Sequence, residues 1–148
     1  MSKKLIVLLL VLASALLAGC GGGGGGSDDD DNPFKGTWTG NYSVGDKDGE
    51  WDCGTISVTI DEDGNAGGTI ESDPVKWGCG TATLKGTCDK NGNFVTANYT
   101  YSIAKWEAKM KGTMVKKDGK ITISDGVVTS ITDDTVLTVA PLTLSAAE

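Results

Sequence analysis

Gly36-Thr37-Trp38-Thr39-Gly40-Asn41-Tyr42-Ser43-Val44, then Asp48-Gly49, then Trp51-Asp52-Cys53-Gly54-Thr55-Ile56-Ser57-Val58-Thr59-Ile60, is the stretch that decides the fold. In its first part Trp38, Tyr42 and Val44 share one phase, and Thr37, Thr39, Asn41 and Ser43 take the other. In its second part Ile56, Val58 and Ile60 alternate with polar residues. Apolar residues at a period of two mark strands with one face buried. Asp-Gly between them supplies the positive φ that a tight hairpin needs.

The same pattern runs on to the C-terminus. Further strands are expected at Ala66–Ser72, Gly80–Cys88, Phe94–Ile103, Trp106–Val115, Lys120–Ser124, Gly126–Ile131 and Thr135–Leu144. Asp63-Gly64, Asn91-Gly92, Asp118-Gly119 and Asp125-Gly126 punctuate them as turns. No stretch of this region shows helical periodicity. The expected fold is all-β: an antiparallel up-and-down meander of eight or nine strands over residues 33–148, closed as a small barrel. Closure removes the unpaired edges that such a meander would otherwise expose. Trp51-Asp52-Cys53-Gly54-Thr55 recurs as Trp77-Gly78-Cys79-Gly80-Thr81, a weak internal repeat that supports one meander rather than two domains.

Upstream of the barrel the composition changes twice. Lys3 and Lys4 precede a run of about thirteen residues, Leu5–Leu17, broken only by Ser14. A bilayer core needs ~20 helical residues, so this run is too short to span one. A positive start, a short apolar run and small residues at Ala18 and Gly19 describe a signal peptide. Leu17-Ala18-Gly19-Cys20 resembles a bacterial lipobox. That resemblance implies cleavage before Cys20, lipidation of its thiol, and palmitate-type acyl chains at the new N-terminus. Residues 1–19 are then a signal peptide, and residues 20–32 the lipidated cysteine and its tether. Durable anchoring takes more than one acyl chain, at ~0.8 kcal/mol per buried methylene.

Gly21–Gly26 and Asp28–Asp31 make the tether a solvated coil, with a reach of ~20 Å. By resemblance, Gly21 rather than Asp after the cysteine points away from inner-membrane retention. The expected address is therefore the cell envelope, at the periplasmic face or outer surface of the outer membrane.

The chain carries 20 acids against 13 basic residues, and every basic residue is lysine. A net charge of −7 repels nucleic acid and anionic lipid surfaces. Without arginine, bidentate clamping of phosphate is not expected. There is no histidine, so a general base near neutral pH would need a strongly shifted carboxylate or lysine. No nucleophile motif is present. The expectation is a non-catalytic protein with no cofactor. Asp61, Asp63 and Asn65 have the opening spacing of a calcium loop, but Ala66 and Ser72 stand where that loop needs glycine and glutamate. They read as a hairpin turn, and no metal site is expected.

With Cys20 lipidated, three cysteines remain in an oxidising compartment. Cys88 is in phase with Ala82 and Leu84 and reads as a core residue. Cys53 and Cys79 share the outward phase and are expected to form a disulfide, at the same end of the meander.

Phe34-Lys35-Gly36-Thr37-Trp38 resembles the opening Gly-x-Trp strand of calycin-type barrels, the lipocalin group. That resemblance implies that Trp38 plugs one end of the barrel. A lysine would cover it by cation–π contact, in place of the arginine those proteins use. It also implies an interior that takes a small apolar ligand. The inward aromatic and sulfur side chains, Trp38, Tyr42, Tyr99, Tyr101, Trp106 and Met110, would then line the site. The other reading of the same residues is a filled core. The barrel would then be a structural or protein-interaction module working through its outer face and loops.

Overall fold

The computed structural model describes residues 31–148. Among them the secondary structure is all β, in eleven segments. These are β1 (Gly36–Asp46), β2 (Gly49–Ile60), β3 (Asn65–Ser72), β4 (Thr81–Cys88), β5 (Asn93–Thr96), β6 (Tyr99–Thr100), β7 (Glu107–Lys117), β8 (Lys120–Ile123), β9 (Val127–Ser130), β10 (Val136–Val139) and β11 (Leu142–Ala146). Every pairing is antiparallel.

Three pairs of segments are single staves with a break. Both β5 and β6 pair with β7, and so do β8 and β9. Likewise β10 and β11 both pair with β1. Counted as staves, the eleven segments form a closed eight-stranded barrel that runs β1–β2–β3–β4–β5–β7–β9–β10 and back to β1. Closure joins the first stave to the last, Val44 opposite Val139 and Trp38 opposite Ala146.

The break between β8 and β9 corrects one expected turn. Asp125-Gly126 is not a hairpin, because the chain continues in the same direction past it. The Asp125 carboxylate accepts from the Thr113 amide at 2.7 Å and from its hydroxyl at 2.7 Å. A side chain thus stands in for a ladder partner where the stave kinks, as at a bulge. By contrast, Asp118-Gly119 is a two-residue hairpin, with φ of 52° and 73°.

Asp61 and Asp89 build twin hairpin tips. Each carboxylate accepts from the backbone and side-chain amides of an asparagine four residues on, Asn65 or Asn93, at 2.7–2.9 Å. Both oxygens of Asp61 are committed to the turn.

The end from which these tips project is plugged by the first described residues. Trp38 Nε1 donates to the Phe34 carbonyl at 2.7 Å. Lys116 Nζ lies 5.2 Å from the Trp38 ring centre and donates to the Pro33 carbonyl at 2.8 Å. The lysine expected over this tryptophan is therefore Lys116.

Inside, the alternation sends Ile56, Ile70, Phe94, Met114, Ile121 and Leu144 into one core, each at most 2 % exposed. Cys88 is wholly buried among them. At ~25 cal/mol per Å² of apolar surface removed from water, such side chains supply most of the driving force for folding.

Candidate functional site

Opposite the Trp38 plug, the barrel end is closed by the segments 73–80 and 101–106. Ile103 and Ala104 amides both donate to the Cys79 carbonyl, at 3.1 Å each. Beneath them lies a buried carboxylate. Asp52 is 1 % exposed and accepts from Tyr42 Oη at 2.5 Å and Ser72 Oγ at 2.6 Å. Tyr42 gives its only proton to Asp52, so Tyr101 is the donor across the 3.1 Å between the two phenols. The Cys79 amide donates to Ser72 Oγ at 3.3 Å. No buried side-chain nitrogen or oxygen among the described residues lacks a partner. Burial, reinforced by Asp52, holds the Tyr42 hydroxyl far above the usual tyrosine range. Burial first and Tyr42 second do the same to Tyr101.

The sequence reading missed Asp52 as a structural centre. Its signal was available: Asp52 shares the inward phase of Ile56, Val58 and Ile60. An acid at an inward position must find donors, and Tyr42 and Ser72 are those donors.

The candidate ligand residues divide between the two ends. Trp38 belongs to the plug. Tyr42, Tyr99, Tyr101 and Trp106 gather at the other end. There Tyr101 stacks on Trp106 at 5.6 Å, and Tyr99 meets Tyr101 edge-on at 6.0 Å. Met110 is buried in the core. All but Trp106 are at most 4 % exposed.

The expected disulfide is not formed: Cys53, Cys79 and Cys88 are free thiols. Cys53 faces outward as expected, beside Glu50, while Cys79 packs against the core. The period-two count fails because Gly80 takes φ +90°, which resets the phase before β4 begins. Cys53 therefore stands on the outside of β2, while Cys79 packs against the core from the closing segment. Burial raises both of them, and it pushes Cys88 up to about 11. Cys20 lies outside the described residues.

On the outer wall of the same end, Glu50 organises a polar rim. Ser43 Oγ donates to its Oε2 at 2.6 Å, Trp77 Nε1 to its Oε1 at 3.3 Å, and Lys76 Nζ bonds the same Oε1. The Lys76 ammonium, then Ser43 and Trp77, hold the Glu50 carboxyl down at about 2. Trp51, beside Glu50, sits opposite the register shift between Val44 and Gly45 and is 48 % exposed. Below the rim, two hollows of about 500 and 350 Å³ lie against β1, β2 and β3. They share Asn41, Thr55 and Glu71.

Comparison with protein-family models, with curated proteins and with solved structures finds no match to this chain. Among the described residues no cluster of three acids or thiols is placed to hold a metal ion.

Proposed function

We propose that the chain is a bacterial envelope lipoprotein. It is anchored through Cys20 and carries a rigid, non-catalytic barrel that recognises its partner on the outer wall. The observation behind this reading is the occupied interior. Tyr101, Phe94, Met114 and Leu137 all belong to the one buried core of the barrel, each at most 1 % exposed. An apolar guest would have to displace them, and each displaced core side chain forfeits ~1.5–3 kcal/mol. The interior aromatics then act as core, and the hollows of the wall, with Asn41, Thr55 and Glu71 between them, are where a partner finds donors and acceptors. The glycine and aspartate run serves as a spacer that frees this wall from the outer-membrane surface.

Two measurements test the proposal. Full-length chain expressed with labelled palmitate should carry the label and partition into membranes, and Cys20→Ser should abolish both. Titration with fatty acids, retinoids and haem should leave tryptophan fluorescence unchanged. One-to-one binding of an apolar ligand, weakened by Tyr101→Leu, would overturn the outer-wall reading.

A further inference from the structure

The two hollows against β1, β2 and β3 share residues and form one trough. The strand register sets outward side chains in rows across three strands: Asn41 opposite Thr55 opposite Glu71, and Thr39 opposite Ser57 opposite Thr69. One step higher Ser43 faces Cys53, and the Asp73 amide donates to the Cys53 carbonyl. From Thr39 to Ser43 the trough runs ~13 Å along the strand. Hydroxyl, carboxamide and carboxylate groups on short side chains stand out from a largely C–H surface, carried by the middle of a closed sheet and, at the upper end, by Asp73 and Pro74.

Three classes of occupant fit poorly. An extended peptide binds by adding to a strand edge, and β2 has partners on both sides over Gly54–Ile60. An apolar ligand would cover the polar groups of Asn41, Thr55 and Glu71 without bonding them, which costs free energy. An anionic chain meets the carboxylates of Glu71 and Asp73, and beyond them Glu50, which already holds the Lys76 ammonium. What remains is a neutral chain dense in hydroxyl groups, with apolar C–H faces. The upper end of the trough offers a surface for such a face. The Trp77 indole is 39 % exposed and held in orientation by its bond to Glu50. An indole pinned by its N–H presents a flat apolar body at little entropic cost.

We propose that this trough binds a neutral glycan chain. Asn41, Thr55 and Glu71 bond its hydroxyls, and Trp77 stacks on the ring at the upper end. This assignment rests on the outer wall being the working face.

The test is calorimetric and fluorescence titration of the full chain in a zwitterionic detergent. The ligands are neutral gluco-, xylo-, manno- and chito-oligosaccharides, with oligogalacturonate as the anionic control. The expected result is saturable binding of at least one neutral series with quenching of tryptophan emission, and none of oligogalacturonate. Asn41→Ala should weaken binding about tenfold or more. Trp77→Ala should remove the quench and weaken binding similarly, with an unchanged circular dichroism spectrum. No saturable binding of any neutral series at millimolar concentration would overturn the proposal. So would binding that Trp77→Ala and Asn41→Ala both leave intact. If apolar ligands also fail to bind, the outer-wall reading survives the loss of the glycan. If an apolar ligand binds with one-to-one stoichiometry, both readings fall.

Discussion

Asp52→Ala is the perturbation that tests the upper end of the barrel most directly. The substitution removes a buried acceptor and strands two hydroxyls. The Tyr42 and Ser72 bonds, at 2.5 and 2.6 Å, are short enough to be charge-assisted. Bonds to a charged group contribute ~1.5–3 kcal/mol each. Tyr42 can still turn to Tyr101, 3.1 Å away, which recovers part of one. Relief from burying the carboxylate offsets a further part. The net cost should be about 3–5 kcal/mol, a large share of the ~6–18 kcal/mol expected for a domain of this size.

Urea unfolding followed by tryptophan emission reads the change. With an m-value near ~1.5 kcal/mol/M, the midpoint should fall by about 2–3 M at unchanged m. Asp52→Asn keeps the shape and one acceptor, so it should cost only about 1–2 kcal/mol. Tyr42→Phe in the Asp52→Ala background should cost much less than in the wild type, since its partner is already gone. An Asp52→Ala cost under about 1 kcal/mol, or strict additivity with Tyr42→Phe, would refute the network as an energetic unit.

Thiol titration should separate the cysteines. Cys88, wholly buried and pushed up to about 11, should stay unreactive toward a disulfide reagent at pH 8 until the chain unfolds, whereas Cys53 should react in the native state. Acid should open the rim before it opens the barrel. Glu50 is depressed from its ordinary 4.5 to about 2, so its bonds to Lys76 and Trp77 help fully above pH 4.5 and are lost as pH falls toward 2. A fluorescence transition of Trp77 in that window, abolished by Glu50→Gln, checks the direction. Gly80→Ala places a Cβ 2.3 Å from Ser102 Oγ at φ +90° and should cost about 1–3 kcal/mol by thermal or urea melting. A neutral outcome there would mean that the 73–80 segment is not set by this glycine.

Much of the barrel was legible because its signals are local. Ile56, Val58 and Ile60 alternate whatever the rest of the chain does. Asp118-Gly119 makes its hairpin from two residues' own φ preferences. Trp38 could be read as inward from Tyr42 and Val44 alone. Other features hid for stated reasons. Asp125-Gly126 has hairpin chemistry but takes the place of a ladder partner, and only the presence of Thr113 beside it decides which. Cys79 looked outward because period-two counting assumes no positive φ, and Gly80 breaks that assumption. At the candidate site, Asp52 was readable by phase, yet its donors come from β1 and β3. The outer trough was invisible, because Asn41, Thr55 and Glu71 meet only through the strand register.

The amino-acid sequence by itself determined the all-β character, the chain order of the staves, most hairpins, and which side chains face inward. These follow from side-chain alternation and turn preferences, which act over a few residues. Only the tertiary structure decided how β1 meets β10 and β11, whether the inward aromatics pack against one another, and which polar groups share a face. Those outcomes depend on register between strands far apart in sequence, and on closure. A shift of one residue there would exchange the core for the wall.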